Sequence, residues 1–137
     1  MPHTKLDITL IQNLNLFTKL TALNAKNCFI YGNTMFFVVD HFSFQKAKER
    51  RDSSLRRLSF LLKKKVRIIT LPDNVDKFIQ LITYPVKYNQ LINENGYITI
   101  QAGQQAKASL IGRNHARVLE LAEILKQYYD IKGLRIV

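Results

Sequence analysis

Acidic residues are scarce in this sequence. Ten Asp and Glu stand against 21 Lys and Arg, a formal net charge of +11 with histidine neutral. Such an imbalance argues for an anionic partner and says nothing about fold. Cysteine occurs once, at Cys28, so no internal disulfide can form. Its apolar, strand-like surroundings point to a small buried residue rather than a reactive thiol. No apolar run approaches the roughly 18 residues that a membrane-spanning helix needs. The opening MPHTKLDITL lacks the basic-then-apolar layout of a secretory signal. These absences lead to an expectation of a cytoplasmic protein without membrane contact.

Catalytic constellations are missing as well. His3 and His41 show no partner spacing, and three histidines with one cysteine make no recognisable metal-ligand cluster. Neither a nucleophile–base–orienter set nor a phosphate-binding P-loop can be read. The expectation is a protein that is not an enzyme and uses no cofactor or metal.

What is present is a spread of apolar residues, 47% of the chain, enough for a packed core and too much for a disordered chain. A length of 137 residues suits one ordinary domain or two small ones sharing a core. The positive charge is clustered. Between Gln45 and Arg67 lie Lys46, Lys48, Arg50, Arg51, Arg56, Arg57, Lys63, Lys64, Lys65 and Arg67, opposed only by Glu49 and Asp52. A short charge run is usually a solvated helix face. Ten bases against two acids in 23 residues exceed what solubility requires and favour a polyanion-binding surface.

Periodicity organises the chain. Leu6, Leu10, Leu14, Phe17 and Leu20, with Ile11 alongside, fall in steps of three and four and predict a helix over 6–23. Cys28 to Tyr31 and Met35 to Val39 read as strands around a Gly32-Asn33 turn. Ser43 to Lys65 is helical and basic, with Leu55, Leu58 and Leu62 on one face and Asp52 or Ser53 as N-cap. VRIIT is a short strand in which Arg67 points away from Val66 and Ile68. Pro72-Asp73-Asn74 marks the one plausible internal boundary.

The same order then returns. Val75 to Tyr84 predicts a helix with Phe78, Ile79 and Ile82 inward. Val86 to Ile92 and Tyr97 to Ala102 predict a hairpin around Asn95-Gly96. Gln104 to Ile111 is a short helix, GRNH a turn, and Ala116 to Tyr129 a longer helix with Val118, Leu121, Leu125 and Tyr128 on one stripe. The closing LRIV matches the earlier VRII, with Arg135 standing 68 residues after Arg67. The chain therefore reads helix, strand, strand, helix, helix, strand, twice. The predicted domains are 1–71 and 72–137, packed tightly as a pair because each is small enough to be marginal alone.

An αββααβ unit with a short turn between its central helices resembles a type II KH domain. In that family the turn is a GxxG loop that clamps the backbone of single-stranded nucleic acid over about four nucleotides. Two such units resemble the NusA-like transcription factors of archaeal type. NAKNCFI resembles the family's entry into its first strand, and DKFIQLITYPVKY the opening of its second KH unit. LIGRNHARVLELAEIL stands where the family has Ile-Gly-basic-Gly-Gly before its final helix. The resemblance covers essentially the whole chain and implies an α+β fold of tandem type II KH domains. It also implies binding of single-stranded RNA, a role in transcription elongation or termination, and RNA polymerase as a partner. Two departures stand out. In GRNH the closing glycine of GxxG has become His115, and the matching place in the first unit, Glu49-Arg50-Arg51-Asp52, has no glycine.

The candidate RNA-binding residues are accordingly Gly112, Arg113, Asn114 and His115 in the second loop, flanked by Arg117 and Lys107. In the first unit they are Lys48, Arg50, Arg51, Arg56 and Arg57, where arginine side chains can bind phosphate in place of a backbone clamp. Asp52, about one helical turn before Arg56 and Arg57, could also satisfy that pair. Ile98, Ile100, Leu110 and Ile111 could offer apolar contacts to bases, although such residues are more often core. Tyr128 and Tyr129 could stack on bases, with packing against the final strand the plainer reading. Three rival functions remain open. One is a KH scaffold that has lost RNA binding and docks on an acidic polymerase or ribosomal surface, and another is a non-specific duplex DNA binder. A nucleic-acid enzyme is the most distant. The charge pattern leaves RNA sequence preference and oligomeric state open.

Overall fold

A computed structural model of the chain describes residues 4–49 and 53–137. Two compact units, Met1–Leu71 and Pro72–Val137, divide the chain. In the first, α1 (Thr4–Thr21) leads into β1 (Ala25–Tyr31) and β2 (Thr34–Val39), followed by α2 (His41–Glu49), α3 (Ser54–Leu62) and β3 (Lys65–Ile69). In the second, α4 (Val75–Thr83), β4 (Gln90–Glu94), β5 (Tyr97–Gln101), α5 (Gln104–Ile111), α6 (Ala116–Tyr129) and β6 (Gly133–Ile136) repeat the order, with a 3-10 turn at Arg113–His115. The fold class is α+β, with six helices and two small mixed sheets of three strands among the described residues.

Each sheet is built the same way. A central strand pairs antiparallel with the strand before it and parallel with the last strand of its unit. A parallel partner cannot be reached by a tight turn, so in each unit two helices fill the crossover. The hairpin turns follow the residues available. Gly32 takes φ 63 between the paired Tyr31 and Thr34. Asn95 and Gly96, at φ 54 and 89, both enter the left-handed region between the paired Glu94 and Tyr97, as a type I′ turn requires.

The first core shows why α1 docks. Met35, Phe37 and Val39 lie on one side of β2, two residues apart as strand pleating demands. They are buried with Phe17, Leu23 and Leu58. Phe17 stacks on Phe37 with ring centroids 4.4 Å apart. Val66 and Ile68 pack against the same cluster. Arg67 sits on the other sheet face, its guanidinium 5.5 Å from the ring centre of Phe36, as the alternation in VRIIT predicts. The expected apolar face of α1 needs one correction. Ile11 is more than half exposed, as is Ile8, because the docked stripe runs through Leu14, Phe17 and Leu20.

The basic segment begins its helix earlier than expected, at His41, because Asp40 caps α2: its Oδ1 accepts the Ser43 peptide N–H at 2.7 Å. Ser53 does hold the N-cap position of α3, but its side chain makes no capping bond. Asp52 lies outside the described residues.

In the second unit Phe78, Ile79 and Ile82 are buried on α4 as predicted, and Asn74 caps the helix by accepting the Asp76 N–H at 2.7 Å. The strand expected from Val86 starts only at Gln90. Tyr84–Pro85 is a cis peptide, and Tyr88 folds back so that its hydroxyl donates to the Asp76 carboxylate. The Val86 N–H turns back to the Thr83 carbonyl at 2.9 Å, and contact with the sheet begins at Asn89, whose N–H donates to the Gln101 carbonyl at 2.7 Å. Leu121, Ile124 and Leu125 bury the inner face of α6. Tyr128 and Tyr129 pack on Phe78 at 6.0 and 4.8 Å, and the Tyr129 hydroxyl donates to the Pro72 carbonyl.

Candidate nucleic-acid interface

The turn between α5 and α6 carries the second unit's candidates. Helix α5 closes with the Gly112 N–H donating to the Ala108 carbonyl at 2.9 Å. Gly112 itself adopts φ 75, ψ 172, a region essentially reserved for glycine. The chain then winds through one 3-10 turn in which Asn114 (φ 55) and His115 (φ 62) are both left-handed. Asparagine and histidine tolerate that region better than most residues, so the loop closes without a second glycine. The His115 N–H donates back to the Gly112 carbonyl at 3.2 Å.

Gly112 has a second, structural reason to be glycine. A Cβ at this position would lie 2.9 Å from the Arg117 backbone nitrogen and 2.7 Å from its Cγ. The start of α6 thus crosses directly over the glycine. Arg113, Asn114 and His115 are exposed, and they lead into the N-terminus of a 14-residue helix. The peptide N–H groups of a helix's first turn have no acceptor within the helix. The His115 and Ala116 N–H groups are taken up by the Gly112 and Arg113 carbonyls, so what Arg113 stands beside is chiefly the positive field of the helix start, which favours an anion.

Arg117 is differently placed. Its Nη1 meets Glu120 Oε1 at 2.5 Å on the same helix, so its charge is already compensated. Lys107 is exposed on α5, five residues before Gly112. Of the apolar residues considered for base contact, Ile98, Ile100 and Leu110 are fully buried. Those three are core, and only Ile111 retains partial exposure.

The first unit's candidates lie on α2 and α3. Lys48 is exposed, with its ammonium 5.7 Å from the Phe44 ring centre. Arg56 and Arg57 are exposed on α3, and no acid occurs in that helix. Arg50 and Arg51 lie outside the described residues. The candidates thus form two sets, one in each unit.

Two aromatic residues escaped the sequence reading. Phe42 is 68% exposed beneath the Lys46 ammonium, 4.8 Å from its ring centre. Phe60, on α3, is 80% exposed. Helix phasing could have found Phe60, since it falls off the Leu55–Leu58–Leu62 stripe and four residues after Arg56. Glu120 was also missed, although an acid three residues after Arg117 on a helix is a legible pair.

Among the described residues no group of three or more His, Cys, Asp or Glu could hold a metal ion. None of the described helices is long and apolar enough to cross a membrane.

The fold has a solved counterpart. The crystal structure of APE1850 superposes with a TM-score of 0.63 at 18% sequence identity, covering 95% of this chain and 99% of that one. At that identity the likeness concerns architecture alone. No family model matches the chain, and no curated protein matches it.

Proposed function

We propose that this chain is a tandem KH-type protein that binds single-stranded RNA through the α5–α6 turn of its second unit. The observation that carries the reading is the turn itself. A glycine in a glycine-only conformation and three exposed residues, Arg113, Asn114 and His115, stand at the start of a long helix, between the central helices of an αββααβ unit. This is where a KH loop holds a phosphate run. The net charge of +11 and its concentration on the first unit's helices supply the long-range attraction. Within the first unit, Arg56, Arg57 and Lys48 contact phosphates or engage a separate acidic surface. Contacts of this kind position a strand without reading its bases. By resemblance to NusA-like factors, the protein acts in transcription elongation or termination in the cytoplasm, with RNA polymerase as partner, and is not an enzyme.

The test is binding of an unstructured RNA across a salt series. Each phosphate neutralised on a single strand contributes about −0.7 to the slope of log affinity against log salt. A steep negative slope, with unpaired RNA preferred over duplex DNA in competition, is the expected result. A flat slope or a preference for duplex DNA refutes the reading, as would cleavage of labelled RNA on incubation.

Two observations favour a second reading, a scaffold that docks on an acidic polymerase or ribosomal surface without holding RNA. The Arg117–Glu120 pair compensates one cation at the head of α6, beside the loop, and the loop lacks its second glycine. On this reading Arg113→Asp leaves RNA retention unchanged.

A further inference from the structure

We infer that Phe60 is a stacking platform for an unpaired nucleobase in the first unit, flanked by Arg56 and Arg57 as phosphate contacts. This rests on the RNA-binding reading above and assigns to the first unit a mode of contact different from a loop clamp.

The argument begins with where α3 points. Leu58 is fully buried, and Leu55 and Leu62 pack against the same core. With 3.6 residues per turn, these three define the inward stripe. Arg56, Arg57 and Phe60 fall on the opposite side, and all three are exposed. Phe60 follows Arg56 by four residues and Arg57 by three, so both arginines are its surface neighbours one turn back. Lys63 follows three residues later as the left-handed C-cap and is also exposed. A phenyl ring 80% exposed on the outer face of a helix contributes nothing to the core beneath it.

Charge selects the occupant. The exposed face of α3 carries two arginines and no acid, and Lys63 extends the same sign. An apolar ring surrounded by cations suits a ligand that offers a flat π-face and anionic links together. Single-stranded nucleic acid offers both, and stacking on an aromatic ring tolerates every base. A duplex offers phosphates but keeps its bases paired, so the platform discriminates by strandedness rather than by sequence.

The chain contains no tryptophan, which makes Phe60→Trp a single fluorescent reporter. Titration of that variant with a uridine oligonucleotide should quench its emission. An abasic strand of the same length, with phosphates but no bases, should bind without quenching. In parallel, Phe60→Ala should weaken oligonucleotide binding by about tenfold or more, as expected for one lost stack. Its salt slope should stay unchanged because no phosphate contact is removed. Arg56→Ala should instead reduce the slope by about 0.7.

If wild-type protein binds RNA while Phe60→Ala keeps full affinity and the tryptophan is unquenched, the platform is overturned and the RNA-binding reading stands. If wild-type protein binds no RNA, both fall. If Phe60→Ala converts a self-associated protein to monomer in sedimentation without altering RNA affinity, Phe60 belongs to an interface between copies and the platform is overturned.

Discussion

Gly112 and Arg117 are in contact across the turn between two helices: any Cβ at position 112 would come within 2.9 Å of the Arg117 backbone nitrogen. The contact separates two explanations for the glycine. A KH-type loop needs glycine so that peptide N–H groups can approach a phosphate, whereas this chain needs it so that α6 can start where it does. The second reason suffices at Gly112, so the glycine by itself does not identify a binding loop. The exposed side chains beside it carry that argument.

Gly112→Ala should therefore destabilise the second unit whether or not RNA is present. The glycine-only conformation alone costs an alanine about 1–3 kcal/mol, and the approach to backbone atoms adds to it. Urea denaturation of the free protein is the measurement, and an unchanged midpoint would contradict the geometry.

Arg113→Ala should leave stability within about 0.5 kcal/mol, since the side chain is exposed at the turn. It should lower the salt slope of RNA binding by about 0.7. Glu120→Gln should act in the opposite sense on binding. Removing the carboxylate that pairs with the Arg117 guanidinium raises the net positive charge at the head of α6. Tighter RNA binding at low salt is expected, with little loss of stability because an i,i+3 pair of this exposure is worth about 0.5 kcal/mol or less.

Asp40 should give the first unit an acid-dependent term. Hydrogen bonds from Ser43 hold its carboxyl below the ordinary value. A carboxyl depressed on folding stabilises fully above its unfolded pKa, about 3.9. That contribution is lost as pH falls through the folded value. Asp40→Asn keeps a capping oxygen but does not titrate. The stability difference between wild type and variant should shrink as pH drops below about 4, measured by denaturant midpoints at each pH. A difference constant with pH would refute the assignment.

Cys28 should be inert in the folded protein. Burial in β1 pushes its thiol up to about 11, so almost none is thiolate at neutral pH. A thiol reagent should label it slowly in buffer and rapidly in denaturant. Equal rates would show that the first sheet opens freely.

Much of the architecture was legible in local signals. The Asn95-Gly96 pair calls for a two-residue hairpin, and both residues do take positive φ. The Leu55, Leu58 and Leu62 spacing marks the inward face of α3, and the bounds of α6 follow from its apolar stripe. The repeated apolar-Arg-Ile-apolar ending also has a structural counterpart. Arg67 pairs with Phe36, the third residue of its unit's central strand, and Arg135 pairs with Thr99, the third residue of its own.

The misses arise where distant parts of the chain meet. Before β4 begins, Tyr88 reaches Asp76, twelve residues back on α4. The exposure of Ile11 depends on which side of α1 meets Phe37. Tyr129 finds Pro72, 57 residues away, and no period in the sequence encodes that meeting. The candidate site divides in the same way. Arg113, Asn114 and His115 were readable as a turn rich in donors. Helical spacing put the Arg117–Glu120 pair and the outward position of Phe60 within reach, while the crossing of Arg117 over Gly112 was not readable.

By itself, then, the sequence determined the charge, the doubled αββααβ order, the hairpin turns and the inward stripes. All of these rest on backbone preferences and on apolar spacing within a few residues. The tertiary structure alone decided that Gly112 lies under Arg117 and that Tyr88 is tied to Asp76. It also decided that the Tyr129 hydroxyl meets the Pro72 carbonyl, 57 residues away. Each depends on which surfaces remain after the core has closed, and core closure is set by contacts between residues far apart in the chain.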